Sequence, residues 1–196
     1  MIDPGSVIAR RDDGVSIIRI ADAAAAEPWH AAFAGAYQAI WSEPPYNERY
    51  TPDEAGAVLR RALQVPDHIT LLAVRDSGVC TGFGIAFPVA AKPDVVRDIR
   101  GLLSIEHTFY FAELGVVDRW RNTGLGRQLV ELRLQLIDHH RFTHVLLRTS
   151  ATRNAAYDMY KGLGFEDTGV YMEVPSRRVD GSTRTDRRLF MARVVG

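Results

Sequence analysis

The short segment from Arg121 to Arg127 is the part of the sequence best suited to chemistry. Two glycines, Gly124 and Gly126, stand there between an apolar run and a long amphipathic run. Glycine allows a ligand to approach the backbone closely and permits positive φ angles. The free N–H groups of a first helical turn carry roughly half a positive charge, which attracts phosphate, and the two arginines would add charge. The segment is either a phosphate-binding turn or an ordinary glycine-containing loop before a core helix.

Two common phosphate motifs do not fit this spacing. In a P-loop the last glycine precedes Lys and then Ser or Thr, whereas Gly126 precedes Arg127 and Gln128. A dinucleotide fingerprint that starts at Gly124 would need a small residue where Leu129 stands. Neither a P-loop nor a dinucleotide site is therefore expected.

A carboxylate, Glu113, interrupts the apolar strand predicted over residues 108–117. Strict alternation along a strand places it on one face with Phe109, Phe111 and Gly115. Leu114 and Val116 would then lie on the opposite face. A buried, unpaired carboxylate is costly, so we expect Glu113 either to face a cleft or to form a structural ion pair, with Arg148 as the candidate partner.

The composition is that of an ordinary globular protein, and it excludes several functions. The 196 residues are 46% hydrophobic and 24% charged, with a formal net charge of zero, which argues against nucleic acid as the main partner. The single cysteine, Cys80, suits a reducing cytosol. No signal segment and no run of roughly 18 to 20 apolar residues is present. We expect one cytoplasmic domain over residues 1–196 without membrane contact. No metal is expected, because His139, His140 and His144 lack partners at ligand spacing.

Hydrophobic periodicity predicts the order β-α-α-β-β-β-α-β-α-β-β, a mixed α/β sheet with helices on both faces. The predicted strands cover residues 15–20, 68–75, 79–89, 108–117, 143–149, 168–174 and 188–195. The predicted helices cover residues 21–41 (or 28–41), 51–66, 124–141 and 154–163. Thr51 and Glu54 form a capping-box signature, and residues 90–106 fit either a short helix or a loop.

Two motifs in this order resemble those of the GNAT acetyltransferases. The run Arg121-Asn122-Thr123-Gly124-Leu125-Gly126 resembles that family's acyl-CoA motif, Arg/Gln-x-x-Gly-x-Gly/Ala, and Leu114-Gly115-Val116 resembles the strand before it. The run from Asn154 to Phe165, with Tyr160 and Gly164-Phe165, resembles the family's later motif. The resemblance covers the core from about Ala73 to Phe165. It implies a mixed, mostly antiparallel central sheet with flanking helices.

The resemblance also implies acetyl-CoA as the co-substrate and assigns residues to it. Leu114, Gly115 and Val116 would pair with the pantetheine arm, and Asn154 would contact the cofactor. The pyrophosphate would be held by the turn Arg121, Asn122, Thr123, Gly124, Leu125, Gly126 and Arg127.

The implied reaction is transfer of an acetyl group to a primary amine, most simply of a small molecule. The alternatives are a protein N-terminal or lysine acetyltransferase and a non-catalytic acyl-CoA-binding module. Tyr160, placed near the sulfur by the resemblance, is the candidate acid, although its spacing also fits a packing role. Glu113 is the candidate base or amine anchor, and the proton could instead leave through water from Glu106 or His107. The N–H of Val116 is the candidate oxyanion donor.

Two polar segments remain open to more than one interpretation. In the loop over residues 42–50, Glu43 and Glu48 could attract a cationic amine and Tyr46 could line its path, or the loop could simply be exposed. The segment from Ser176 to Arg188 is either a solvated hairpin tip or a partner or substrate contact. It contains five arginines: Arg177, Arg178, Arg184, Arg187 and Arg188. By resemblance, a homodimer is possible.

Overall fold

The computed structural model describes residues 7–195 and contains one eight-stranded sheet with the strand order β1-β2-β3-β4-β5-β6-β8-β7. The strands are β1 Val7–Arg10, β2 Val15–Ile20, β3 Ile69–Arg75, β4 Cys80–Pro88, β5 Thr108–Val116, β6 His144–Ser150, β7 Glu166–Arg177 and β8 Thr183–Val194. All neighbours are antiparallel except β5 and β6, which are parallel. Residues 1–6, part of the segment in which no signal sequence is expected, lie outside the described range.

Within residues 7–195, six α-helices cover the two faces of the sheet. They are α1 Ala23–Ala26, α2 His30–Ser42, α3 Pro52–Leu63, α4 Pro93–Asp98, α5 Leu125–Leu136 and α6 Ala155–Gly162. Apolar side chains of α2, α3 and α4 form one core with the sheet, and those of α5 and α6 form the other. This arrangement confirms the mixed, mostly antiparallel sheet with helices on both faces. No helix within residues 7–195 is long and apolar enough to cross a membrane.

Local sequence signals account for most helix boundaries. Thr51 and Glu54 form the predicted capping box at the start of α3. The helix predicted over residues 124–141 is shorter, because the side chain of Asp138 accepts the N–H of His140 in a turn that replaces the last helical turn. Within residues 90–106 the structure contains α4, which settles that segment as a short helix followed by turns.

Two strand predictions at the edges of the sheet were wrong. The strand β1 was missed, since its four residues carry little signal without the pairing to β2. The final hairpin is longer than predicted, because β7 continues to Arg177 and β8 begins at Thr183. Its tip is therefore confined to residues 178–182.

A β-bulge in β5 determines which way Glu113 points. Ile85 pairs with Glu113 and Ala86 pairs with Phe111, so Ala112 is an extra residue without a partner on β4. The predicted alternation was wrong at this point: Phe111 belongs to the core beneath α5, while Glu113 lies on the face covered by α2. The extra residue shifts the alternation by one position.

The parallel pairing between β5 and β6 stops at the same place. Phe111 is the last residue of β5 that pairs with β6, although β5 continues to Val116 and β6 to Ser150. The two strands diverge beyond the bulge and leave a gap in the centre of the sheet.

Candidate functional site

The gap between β5 and β6 exposes backbone groups that a continuous sheet would have paired. The N–H of Val117 donates to Thr81 on the β4 side at 3.0 Å. Successive residues in a strand point their N–H groups to opposite edges, so the N–H groups of Leu114 and Val116 face the gap. The Val116 carbonyl, on that same edge, accepts a bond of 3.1 Å from Arg121. The candidate oxyanion donor thus lies at the opening.

The turn before α5 has the backbone shape of an anion-binding concavity. Asn122 and Gly124 have positive φ angles of 61° and 83°, a conformation that costs little only for glycine and, to a lesser degree, asparagine. Gly124 caps α5 without any side-chain hydrogen bond. The first-turn N–H groups of α5 are therefore free to bind a ligand.

A cavity of about 520 Å³ joins this turn to the end of β5. Nine of the eleven predicted cofactor residues line it: Leu114, Gly115, Val116, Arg121, Asn122, Gly124, Gly126, Arg127 and Asn154. The other two do not. Leu125 is buried in the core, and the hydroxyl of Thr123 donates to Trp120.

The two arginines at this cavity already have protein partners. Arg121 bonds to Glu43 at 2.6 Å and to Asp118 at 3.1 Å. Arg127 pairs with Glu131 at 3.3 Å one helical turn away. The pair between Arg121 and Glu43 ties the loop after α2 to the end of β5, so Glu43 is paired with a residue of the cavity although its side chain is still partly exposed.

The later motif contributes one wall of the cavity and a buried tyrosine. Asn154 caps α6 by accepting the N–H of Tyr157 at 3.0 Å. Tyr160 is 6% exposed and its ring packs edge-on against Phe165. Burial raises the pKa of the Tyr160 hydroxyl to about 12. Its hydroxyl makes no hydrogen bond to any of residues 7–195.

Glu113 is a partly buried carboxylate without a partner among the described residues. No side-chain hydrogen bond and no ion pair involves it there, and Arg148 instead lies 3.9 Å from Asp94 and 3.1 Å from the sulfur of Met172. The expected structural ion pair with Arg148 is therefore absent. Burial raises the pKa of Glu113 to about 7, with Arg148 and Lys92 opposing the shift.

The alternative proton acceptors lie far from this carboxylate. Glu106 and His107 precede β5 at the end opposite the cavity, and His107 bonds to the backbone of Arg141. Glu106 and Glu113 are seven positions apart along the chain, which is roughly 20 Å in an extended segment. The structure therefore does not bring them to the site.

The loop over residues 42–50 forms the remaining wall. Pro44, Pro45 and Tyr46 line the main cavity. A second cavity of about 320 Å³ lies on the other side of Pro45 and Tyr46, between the end of β6 and β8. Tyr46 thus separates two adjoining cavities.

Glu48 belongs to a group of four charged residues, Glu48, Arg178, Asp186 and Arg188, which we call the hairpin charge cluster. Arg188 bonds to Glu48 at 3.0 Å, and Arg178 bonds to Asp186 at 2.5 Å. The hydroxyl of Tyr50 donates to the other oxygen of Glu48 at 2.8 Å. Glu48 and Arg178 are each 6% exposed.

The hairpin charge cluster corrects the prediction for the arginine-rich segment. Arg178 and Arg188 are not a solvated tip, because Asp186 and Glu48 compensate their charges inside the protein. Arg188 also lines the second cavity, so a substrate contact of this segment stays a prediction. Only Arg177, Arg184 and Arg187 are exposed. The reason is the extra length of β7 and β8, which carries these residues back over the loop after α2.

Sequence reasoning missed one functional candidate, Arg133. It lies on α5, is fully buried, and contacts the backbone beside Glu113. The signal was its position four residues after Leu129, within the apolar stripe that begins at Leu125. A charged residue in an apolar stripe indicates that its side chain has polar partners inside the core.

Comparison with known proteins agrees with this geometry. Residues 27–165 match the model of the acetyltransferase (GNAT) family. N-acetyltransferase family 8 member 2 of Rattus norvegicus is 25% identical over 114 residues, which is 58% of this chain and 46% of that relative. The matched stretches span less than half the length of the curated relatives.

Two solved structures show the likeness of fold. The ribosomal-protein-S18-alanine N-acetyltransferase of Escherichia coli superposes with a TM-score of 0.59 at 15% identity, over 93% of this chain and 94% of the other. Aminoglycoside 6'-acetyltransferase type Ii gives a TM-score of 0.61 at 16% identity, over 92% and 97%. Together with the family match over most of its length, the diverging strands and the turn at Gly124 place this chain in the GNAT acetyltransferase family.

Proposed function

We propose that this protein transfers the acetyl group of acetyl-CoA to a primary amine of a small molecule. The observation that carries the proposal is the meeting of two features in one cavity of about 520 Å³. One is the free N-terminal turn of α5, and the other is the unpaired edge of β5. An elongated ligand with phosphates at one end and amide groups toward the other suits that combination.

The residues of the cavity fit such a ligand. The N–H groups of the first turn of α5 would hold the pyrophosphate, while the free edge of β5 at Leu114 would pair with an amide of the pantetheine arm. A side chain added at Gly126 would point between Val116 and Met159, both of which line the cavity. The glycine therefore keeps the space beside β5 open.

Glu113 is proposed as the group that takes the proton from the acceptor amine. Acetyl-CoA, when bound, supplies an acetyl group activated as a thioester. A lysine-like amine has a pKa near 10.4, so only about one molecule in 10³ is neutral at pH 7. A carboxylate whose pKa is about 7 can accept that proton at neutral pH. The N–H of Val116 is proposed to donate to the oxygen that becomes negative.

Tyr160 is proposed as the proton donor to the leaving sulfur. With a pKa of about 12 its hydroxyl stays protonated at neutral pH, and no described residue competes for it. We therefore expect Tyr160→Phe to lower turnover while the affinity for acetyl-CoA changes little. Unchanged turnover would exclude this role.

The acceptor is proposed to enter on the side of Tyr46. The second cavity of about 320 Å³ is large enough for a small molecule and shares Pro45 and Tyr46 with the main cavity. Glu48 is held in the hairpin charge cluster, so its contribution would be electrostatic, and Glu43 would act through Arg121. A protein N-terminus or lysine is the second candidate, since a fold neighbour is by name an S18-alanine N-acetyltransferase.

The first experiment measures thermal stability with and without acetyl-CoA. A ligand at 100 times its dissociation constant adds about 2.7 kcal/mol, which raises the melting temperature by roughly 5 to 10 °C for a chain of this size. Gly124→Val should abolish the rise. The matched control is Gly101→Val, since Gly101 has nearly the same φ angle, 84°, and open space around it but lies far from the cavity. No rise in the wild type at millimolar acetyl-CoA would contradict the proposed cofactor.

A second assay follows release of free CoA thiol over a panel of amines. Small amines and peptides with free N-termini or lysines are compared at equal concentration. Turnover with small amines alone supports the proposal, and turnover with peptides alone favours the second candidate. Binding of acetyl-CoA without any turnover would indicate a non-catalytic acyl-CoA-binding module.

A further inference from the structure

Arg133 is a buried guanidinium without a carboxylate partner. Its side chain is 0% exposed, and within residues 7–195 no ion pair includes it. A buried charge without a counter-ion is costly. Packing alone therefore does not explain why a charged residue occupies this position.

The guanidinium is held by backbone oxygens on both sides of the β-bulge. Its Nη1 donates to the carbonyl of Ile85 at 3.2 Å and to the carbonyl of Glu113 at 3.0 Å. Those two residues form the last pair of β4 and β5 before the extra residue Ala112. Its Nε donates to Leu129 within α5 at 3.1 Å. One side chain thus connects α5 to both strands at the bulge.

Two neighbours are shaped to accept this side chain. The guanidinium lies over the ring of Phe111 at 4.2 Å, a cation–π distance. A Cβ atom at Gly84 would lie only 2.8 Å from the Arg133 Nε. Gly84 therefore leaves the space that the guanidinium needs, and any larger residue would displace it.

We propose that Arg133 is a positioning residue of the transfer reaction, which fixes the β-bulge at Ala112 and thereby directs Glu113 to the acceptor side. This proposal rests on the proposed function of the site. The bulge turns Glu113 away from α5 and ends the pairing of β5 with β6. Bonds from one rigid group to both carbonyls stabilise that geometry, which otherwise leaves backbone oxygens unpaired.

Arg133 carries a charge close to the site. Burial lowers the pKa of Arg133 to about 10, so it stays positive at neutral pH. The titratable groups near enough to act on its charge are Tyr160 on α6 and, from the opposite face of the sheet, Glu113 on β5. The charged groups that face Glu113 are Glu48, Lys92, Arg148 and Arg188. The charges that act most strongly on Glu113 are Arg148 and Lys92, so Arg133 acts on this residue chiefly through its bond to the Glu113 carbonyl.

The test compares Arg133→Met with Arg133→Lys in the full chain. Met keeps the length without donors or charge, whereas Lys keeps the charge and a donor near the two carbonyls. We expect kcat of Arg133→Met to fall about 10- to 100-fold, since small misplacements of reacting groups have effects of that size. The rise in melting temperature with acetyl-CoA should persist, and Arg133→Lys should regain most of the loss. Gln135→Met, an exposed position on α5, is the control for methionine in this helix.

An activity-independent measurement is the NMR titration of the Glu113 carboxyl carbon. In Arg133→Met its pKa should move away from about 7, because a displaced bulge changes the burial that raises it, and in Arg133→Lys it should return toward the wild-type value. An unchanged titration together with unchanged kcat in Arg133→Met would overturn the proposal, as would equal impairment of the Met and Lys variants.

Two further results keep the test decisive. If Arg133→Met does not fold, Gly84→Ala replaces it, because its methyl group displaces the guanidinium; unchanged kcat in that variant overturns the proposal. If the wild type shows no response to acetyl-CoA, the proposed function fails. In that case the titration of Glu113 still shows whether Arg133 fixes the bulge.

Discussion

Two regions of this protein bury charge, and they do so in opposite ways. In the hairpin charge cluster, Arg178 and Arg188 meet Asp186 and Glu48 at distances of 2.5 to 3.4 Å. At the divergence of β5 and β6, Glu113 and Arg133 have no ionic partner among the described residues. The four charges of the cluster neutralise one another through ion pairs, whereas Glu113 and Arg133 are each buried without an ion pair.

The difference indicates which region serves structure and which serves chemistry. A compensated cluster has no spare charge to offer a ligand, and here it joins the loop after α2 to the β7–β8 hairpin. Uncompensated buried groups have shifted pKa values, which is typical of catalytic sites. The comparison therefore supports the proposed role of Glu113 in the reaction and a stabilising role for the cluster.

The largest expected effect is on the rate of Glu113→Gln. Loss of the proton acceptor should lower kcat/KM by about 10² to 10⁴, measured with whichever amine the panel identifies. In the wild type, kcat/KM should rise with pH through about 7, where Glu113 ionises. Glu106→Gln, an exposed carboxylate at the other end of β5, is the control and should leave the rate unchanged. A rate loss below threefold in Glu113→Gln would mean that Glu113 is not the proton acceptor, and its role would then not differ from that of the hairpin charge cluster.

The next effect is on the stability of Arg188→Met. Removal of one partner leaves Glu48 buried without its charge pair, which typically costs about 3 to 5 kcal/mol in free energy of unfolding. Urea denaturation at pH 7 measures it, with the exposed Arg184→Met as control. The double variant Glu48→Gln with Arg188→Met should lose less than the sum of the two single variants. Additive losses would show that the two residues act separately.

A smaller effect is the pH dependence of stability in Glu113→Gln. The folded pKa of about 7 lies above the ordinary value of 4.5, so the folded state holds this proton more tightly than the unfolded state. Stability from Glu113 is therefore present below pH 4.5 and lost as the pH rises to about 7. Relative to the wild type, Glu113→Gln should gain on the order of 1 to 3 kcal/mol between pH 5 and pH 8. If the stability of Glu113→Gln relative to the wild type instead increased toward low pH, the uncompensated burial of Glu113 would be contradicted.

The smallest effect is expected for Glu43→Gln. Its pair with Arg121 is about one third exposed on both sides, and such pairs contribute at most about 1 kcal/mol. We therefore expect Glu43→Gln to lower the free energy of unfolding by at most about 1 kcal/mol. Acetyl-CoA should still raise the melting temperature of this variant. A loss above about 2 kcal/mol would place this pair with the hairpin charge cluster instead.

The sequence predicted the geometry of the proposed phosphate-binding turn better than that of the proposed catalytic residue Glu113. The turn from Arg121 to Gly126 is local: its glycines, the strand before it and the helix after it are contiguous, so spacing alone brings them together. Glu113 was found as an anomaly in an apolar strand, but its face was wrong. A β-bulge depends on pairing with β4, which no local pattern of β5 reports.

Local sequence patterns could not predict which charged residues are buried and which of them form ion pairs. Glu48 and Arg188 are 140 positions apart in the sequence, and each looked like an exposed charge. Arg133 looked like an interruption in an apolar stripe. Only the packed chain shows that one pair is neutralised and the other residue bonds to the backbone.

The sequence by itself determined the order of most elements, the capping of α3, the turn at Gly124 and the family motifs, because each depends on neighbours along the chain. Only the tertiary structure decided where β5 leaves β6, which way Glu113 points, and which buried charges are compensated. Those features depend on register and on contacts between distant segments, and their energies are set by the surroundings that folding brings together.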